Sequence, residues 1–200
     1  MQRFTIAALA ALLAGLMSAT ALAQDTTAPV VGAPDVRVAV PADVTDAEHN
    51  KIMLLLSGHD YFPTHSDLLA ATPKARAILF AIATDANALP SHRIRAIDAL
   101  GLFPEDDSLA QFLEQALNQT DLRPTFARHY INTSLKVFHE QAVPWVAPHL
   151  NNPDLQTQLT VIHSLGLFGG NSGREVLRFH RQFIHRDVLI EDTLERALAR

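Results

Sequence analysis

The feature that most constrains the fold of this chain is a segment that recurs in its second half. Residues 93–103, 128–138 and 158–168 align without gaps, with the sequences RIRAIDALGLF, RHYINTSLKVF and QLTVIHSLGLF. In this alignment one position is a leucine in all three copies, at Leu100, Leu135 and Leu165. Another is a phenylalanine in all three, at Phe103, Phe138 and Phe168. Leu198 matches the leucine in an incomplete fourth copy, so successive leucines are 35, 30 and 33 residues apart. Such a period is typical of helical repeats that bury their apolar faces only against their neighbours.

The segments between these copies carry apolar residues at the spacing of amphipathic helices. In residues 107–118 the apolar stripe is formed by Leu109, Phe112, Leu113, Ala116 and Leu117. In residues 172–184 the corresponding stripe is formed by Val176, Leu177, His180, Phe183 and Ile184. After residue 43 no segment alternates convincingly at the period of a β-strand. The sequence therefore predicts an all-α fold.

Helix boundaries are marked by capping residues, glycines and prolines. Thr45 and Glu48 have the spacing of a capping box, and the helix that they begin should end near Gly58. Further helix ends are expected at Gly101 and Gly166. Further helix starts are expected at Thr72-Pro73, at Ser91 after Pro90, and at Asn152-Pro153.

One copy of the repeat carries a recognisable pattern, formed by Arg93, Ala96, Ile97, Ala99, Leu100 and Gly101. This pattern resembles the first helix of a short bacterial HEAT-like repeat, the type also found in phycobilin-lyase-like proteins. Lys136 replaces the glycine in the second copy, and Gln158 replaces the arginine in the third. The resemblance implies an α-solenoid of stacked antiparallel helix pairs over residues 44–200, whose last helix acts as a cap. The alternative is a plain bundle of unrelated amphipathic helices.

The N-terminus has the features of an export signal. Arg3 provides a positive start, an apolar run follows from Ile6 to Met17, and small residues at positions 21 and 23 predict cleavage after Ala23. The alternative is an uncleaved anchor helix. We interpret the proline-containing residues 24–43 as a flexible linker. The mature chain should have no membrane span and should be periplasmic or secreted.

Composition argues against several classes of activity. The chain has no cysteine, which excludes disulfides, thiolate metal sites and cysteine nucleophiles. Its formal charge is −5 and it has no block of lysines and arginines, so a nucleic-acid partner is not expected. The motifs G-x-S-x-G and H-E-x-x-H are absent. A single His-Glu dipeptide, at residues 139–140, does not match the repeated pairs of HEAT-like iron hydroxylases. The sequence predicts neither an enzyme nor a cofactor.

The ten histidines raise the hypothesis of a metal site. In the loop at residues 58–65, His59, Asp60 and His65 could ligate zinc or hold another small ligand, but a further strong ligand at helical spacing is lacking. The alternative is structural, because Tyr61, Phe62 and Pro63 could fix the turn between the first two helices. His180, which falls within an apolar stripe, is interpreted as a partly buried core histidine.

The function that this sequence favours is that of a scaffold or adaptor for a protein or peptide partner. The expected surface is concave and is lined by the second helix of each pair, at residues 73–84, 107–118, 141–150 and 172–184. Helical phase alone assigns its polar residues: Lys74, Gln111, Glu114, Gln115, Arg174, Arg178 and Arg181. Alternatives are the metal- or ligand-binding protein described above and an accessory subunit of an envelope enzyme.

Overall fold

A computed structural model of the protein describes residues 40–58, 60–183 and 187–199. These residues are helical and contain no β-strand, which confirms the all-α prediction. The α-helices are α1 Asp46–Ser57, α2 His65–Ala71, α3 Ala75–Thr84, α4 Pro90–Leu100, α5 Asp107–Leu117, α6 Pro124–Phe138, α7 Val143–Val146, α8 Leu155–Phe168, α9 Gly170–Arg181 and α10 Val188–Leu198. Short 3-10 turns, His139–Ala142 and Ala147–Asn151, flank α7. Within the described part of the chain, none of the helices combines the length and the apolar character needed to cross a bilayer.

Several helix ends lie where the sequence places them. The Thr45 hydroxyl accepts the Glu48 amide at 3.3 Å, and the Glu48 carboxylate accepts the Thr45 amide at 2.8 Å, so the capping box is present. Gly58 and Gly101 are the residues at which α1 and α4 end. These interactions satisfy backbone groups that a helix leaves unpaired at its termini.

Three predicted helix starts were wrong by one to three residues. Ser91 is not a cap, because α4 begins at Pro90 itself, and a proline tolerates this first position since it lacks an N–H group. Pro73 and Pro153 both lie ahead of the first helical turn. The helices that follow them begin at Ala75 and Leu155.

The helices that contain the recurring segment pack on one another in chain order: α4 on α6, α6 on α8, and α8 on α10. Leu100, Leu135 and Leu165 are 0 % exposed, so the leucine common to the copies lies in a shared core. In α10, Leu194 is also buried, while Glu191, Asp192, Glu195 and Arg196 are exposed. The last described helix therefore has one apolar and one charged face.

A second set of helices packs beside the first. Helix α3 packs on α4, α5 on α6, and α9 on both α8 and α10. Members of this set also touch each other, since Phe80 and Phe112 meet edge to face with ring centroids 5.3 Å apart. The His149 imidazole donates from Nε2 to the carbonyl of Leu117 at 3.1 Å, which ties the 147–151 turn to the end of α5. Burial lowers the pKa of His149 and so favours the neutral ring.

Gly166 does not end its helix, contrary to the prediction. Helix α8 continues to Phe168, and Gly166 is buried within it. A Cβ atom at this position would lie 2.6 Å from the Cβ of Ala197. Glycine is therefore required here because α10 packs closely against α8, and not because the backbone must turn.

Candidate functional site

The described part of the chain contains an apolar groove between α9 and the 147–151 turn. Its volume is about 520 Å³. The lining residues are mainly apolar and lie on the two sides of the groove: Ala147, Leu150 and Asn151 on one, and Glu175, Val176, Phe179, His180 and Phe183 on the other. A concave apolar surface with few polar groups is the usual form of a ligand or partner site.

One wall of the groove is a compact segment with two prolines. The sequence predicts a helix over residues 141–150, but only Val143–Val146 is α-helical and the flanking turns are 3-10. Pro144 and Pro148 have no N–H groups and cannot donate to the carbonyls of a continuous α-helix. Leu150 is nevertheless 4 % exposed, and it lines this wall of the groove with Ala147.

The other wall, α9, follows α8 after the single residue Gly169. A Cβ atom on Gly170 would lie 2.0 Å from Oε1 of Glu140, and Gly170 has a φ of +58°. A Cβ atom on Gly173 would lie 2.7 Å from the carbonyl oxygen of Leu165. The glycines therefore allow a turn between the two helices that is tighter than other residues could adopt.

Glu140 caps α9 from outside the helix. Its carboxylate accepts the backbone amide of Asn171 at 2.6 Å and the hydroxyl of Ser172 at 2.9 Å. These hydrogen bonds lower the pKa of Glu140. Because Gly169 offers no side chain at the N-cap, Glu140 supplies the acceptor that the start of α9 needs. The contact also fixes α9 relative to the segment that forms the opposite wall.

Two phenylalanine rings lie exposed along the groove. Phe179 is 63 % exposed and Phe183 is 62 % exposed, and their ring centroids are 5.0 Å apart. The sequence placed Phe183 in a packed stripe with Val176, Leu177, His180 and Ile184, of which Ile184 lies outside the described residues. Only Leu177 is fully buried, while Val176 and His180 are partly covered. The prediction for Phe183 was wrong because α9 ends at Arg181, two residues before this side chain.

The polar groups of the groove are few. Among its lining residues, Glu175 is the one carboxylate and is exposed at the rim, and Asn151 is exposed on the opposite wall. His180 is half-buried, as the sequence suggested, and burial lowers its pKa. The imidazole is therefore neutral at pH 7, so that Glu175 gives the groove its charge.

The residues predicted for partner contact do not line this groove. Gln111, Glu114 and Gln115 are exposed on α5. Lys74 is half-buried, and its amine lies 2.9 Å from the Asp43 carboxylate.

On α9, Arg174 donates to the side-chain oxygen of Asn171 at 2.8 Å. Arg181 lies 2.5 Å from the carboxylate of Glu195. Arg178 is exposed. Sequence reasoning missed Phe179, although an aromatic residue outside the apolar stripe of its helix was a usable signal.

The structure describes all but one residue of the loop at residues 58–65 in which the sequence suggested a metal site. His59 lies outside the described residues, and Asp60 is exposed. The ring of His65 packs edge to face on Phe103, with centroids 4.9 Å apart. Within residues 40–58, 60–183 and 187–199, no group of three His, Cys, Asp or Glu side chains is placed to hold a metal ion. The involvement of His59 stays a prediction.

Comparison of the chain with known protein families, with curated proteins and with solved structures finds no match.

Proposed function

We propose that this protein is an exported, non-catalytic scaffold or adaptor that binds a protein or peptide partner in the groove beside α9. In this proposal residues 1–23 direct export and are removed after Ala23, and residues 24–43 serve as a linker. Residues 44–200 form a HEAT-like α-solenoid. The mature protein is located in the periplasm or outside the cell.

The observation that carries the binding proposal is the exposure of Phe179 and Phe183 beside an apolar groove. A phenylalanine that is buried at an interface removes a large apolar area from water, and aromatic residues are enriched among those that dominate binding energy. Contiguous exposed apolar surface on a water-soluble protein marks interaction sites. A groove between two helical walls suits a helical or extended peptide segment.

The order of packing supports a solenoid. Each helix that contains the recurring segment contacts the next one along the chain, from α4 to α10. The second set of helices lies beside them, and the groove is part of this second set, where the binding surface of a solenoid is expected. The repeated leucine is buried in each of the first three copies, at Leu100, Leu135 and Leu165, which a bundle of unrelated helices does not require.

Site-specific photocrosslinking in living cells would test where the partner binds. A photoreactive phenylalanine analogue at Phe183 should give a discrete adduct with one envelope protein, and its yield should fall in a Phe179→Ala background. The same analogue at Leu54, an apolar side chain that is 75 % exposed on α1, is the matched control. Equal adducts from both positions, or none from Phe183, would overturn the proposal. If the adduct is an enzyme, the protein is an accessory subunit.

The export part of the proposal has an independent test. Cell fractionation followed by mass spectrometry of the purified protein should give a species that begins at Gln24 and is absent from the cytoplasm. A full-length chain in the cytoplasm would contradict export, and a full-length chain in the membrane fraction would indicate a retained anchor.

A further inference from the structure

We infer that the groove beside α9 recognises a partner segment in which a large aliphatic or aromatic side chain lies next to a lysine or arginine. This inference rests on the proposed function, because it specifies the chemistry of the partner at the same site. It combines two properties of the groove, an apolar interior and a rim with one carboxylate.

The interior fits a bulky apolar side chain. Its volume of about 520 Å³ lies between walls formed by Leu150 and Val176, with the two exposed phenylalanines along one side. An apolar side chain that enters this space would also cover Phe179 and Phe183, which are otherwise in contact with water. Burial of apolar area is the main favourable term in association, so this contact would supply most of the affinity.

The rim favours a positive charge. Glu175 is exposed at the edge of the groove, and the other polar lining groups are the Asn151 amide and the His180 imidazole. Because burial lowers the pKa of His180, this ring does not add a positive charge that would offset Glu175 at pH 7. A lysine or arginine beside the apolar anchor would meet the carboxylate, whereas a partner carboxylate would be repelled.

The arginines of α9 form no ion pair with Glu175 in the described part of the chain. With a rotation of about 100° per residue, Arg174 and Arg181 lie on the side of the helix roughly opposite Phe179. Both are engaged elsewhere, Arg174 with Asn171 and Arg181 with Glu195. Arg178 lies one turn after Glu175, but no ion pair joins these two side chains, so the Glu175 carboxylate can meet a cation of the partner.

The charge of the surrounding chain does not select the partner. Residues 123–200, which include the groove, contain seven Asp and Glu residues and nine Lys and Arg residues, whereas the acidic excess lies in residues 40–122, with twelve Asp and Glu residues and five Lys and Arg residues. Recognition of a positive charge at the groove therefore depends on Glu175, and the apolar contact depends on the two phenylalanines.

The test uses the purified protein and three fluorescent peptides of roughly 14 residues, which correspond to about four helical turns. The first peptide is an amphipathic sequence of leucine, phenylalanine and lysine. In the second every lysine is replaced by glutamate, and in the third every apolar residue is replaced by serine. Fluorescence anisotropy measures binding to the protein and to three variants: Glu175→Gln, Glu105→Gln, and the double variant Phe179→Ala, Phe183→Ala.

We expect the lysine peptide to bind at least about tenfold more tightly than the glutamate peptide, and the serine peptide not to bind. Glu175→Gln should weaken the lysine peptide by roughly three- to fivefold, as for one rim ion pair, and the phenylalanine double variant should abolish its binding. Glu105→Gln removes an exposed carboxylate between α4 and α5 that does not line the groove. It controls for non-specific attraction and should leave the affinity unchanged.

Different results would contradict the proposed docking function and the inferred positive charge of the partner. If the lysine and glutamate peptides bind equally and both depend on the phenylalanines, the groove is a docking site but the inferred charge of the partner is wrong. The same conclusion follows if Glu175→Gln and Glu105→Gln have equal effects. If binding does not depend on the phenylalanines, both proposals fail. Light scattering of the free protein is the last control, because a dimer that the double variant dissociates would identify a second copy as the occupant and overturn the inference.

Discussion

The close approach of α8 and α10 at Gly166 leads to a prediction whose sign depends on two opposing effects. A Cβ atom at this position would lie 2.6 Å from the Cβ, 2.9 Å from the Cα and 3.0 Å from the carbonyl oxygen of Ala197. Non-bonded carbon atoms prefer separations of about 3.5–4.0 Å, so the Gly166→Ala variant would force α10 away from α8 by roughly 1 Å.

Helix propensity favours the alanine variant by about 1 kcal/mol, because glycine loses more backbone entropy when it enters a helix. Overpacking of a tight interface opposes it with a cost of about 1–3 kcal/mol. The backbone of Ala197 is in the way as well as its methyl group, so rotation of a side chain cannot relieve the overlap. We therefore expect a cost in the upper part of that range, about 2–3 kcal/mol, and hence a net loss of about 1–2 kcal/mol in the free energy of unfolding.

The assay is thermal and urea unfolding followed by far-ultraviolet circular dichroism, in which the loss corresponds to a fall in Tm of roughly 2–8 °C for a protein of this size. Gly101→Ala is the matched control, since its Cβ would meet the carbonyl oxygen of Asp98 at 3.1 Å and a methyl group of Thr133 at 3.3 Å. Its effect should be smaller. The variant that combines Gly166→Ala with Ala197→Gly should recover part of the loss. An increase in Tm for Gly166→Ala alone would refute the close packing of α8 and α10.

Three further predictions concern the elements around the groove and the core. Glu140→Gln should weaken the capping of α9 and lower the stability of the protein. Because folding lowers the pKa of Glu140, its carboxylate stabilises the folded state at pH values above 4.5, the ordinary pKa. This stabilisation is lost as the pH falls through the lower pKa of the folded state. The Tm values of the wild type and the variant should therefore differ at pH 7 and become equal in acid. A difference in Tm that does not change with pH would contradict the role of the carboxylate. His139→Gly should raise the free energy of unfolding by roughly 1 kcal/mol, because His139 has a φ of +47° that glycine adopts freely. His139→Ala is the control. An equal gain in the free energy of unfolding from the alanine variant would rule out relief of backbone strain. Leu135→Ala should lower the free energy of unfolding, measured in urea, by about 3–5 kcal/mol, because this side chain is 0 % exposed. Leu167, which is 43 % exposed, is the control, and its replacement by alanine should lower the same free energy by less than about 1 kcal/mol.

The recurring arginine illustrates why equivalent positions of a repeat need not have equivalent roles. Arg93 is 1 % exposed; its guanidinium lies 4.6 Å from the centre of the Phe126 ring and donates to the carbonyl of Ala83 at 3.3 Å. Arg128, the next copy, is half-exposed and forms an ion pair with Asp154 at 3.0 Å. The neighbours of each position differ, so the same residue type is a core element in one copy and a surface contact in another.

The sequence by itself determined the all-α class and most of the helices that the structure describes. It also determined the buried position of the leucine in the first three copies, whereas Leu198 in the fourth is partly buried. These properties are local, because the 3.6-residue period assigns one face of a helix to the core and capping residues act within one turn of a helix end. The errors of one to three residues at Pro73, Pro90 and Pro153 arose where a proline left more than one possible start.

The groove was decided only by the tertiary structure. Periodicity identifies an apolar face, but it does not say whether a neighbouring element covers that face. The 147–151 turn and α9 together line the groove, and Phe179 and Phe183 stay exposed beside it. Gly166 shows the same limit, since its role depends on Ala197, which lies 31 residues away in the chain. The sequence alone thus determined which residues form helices, whereas the distances between those helices decided where the chain presents an apolar surface to a partner.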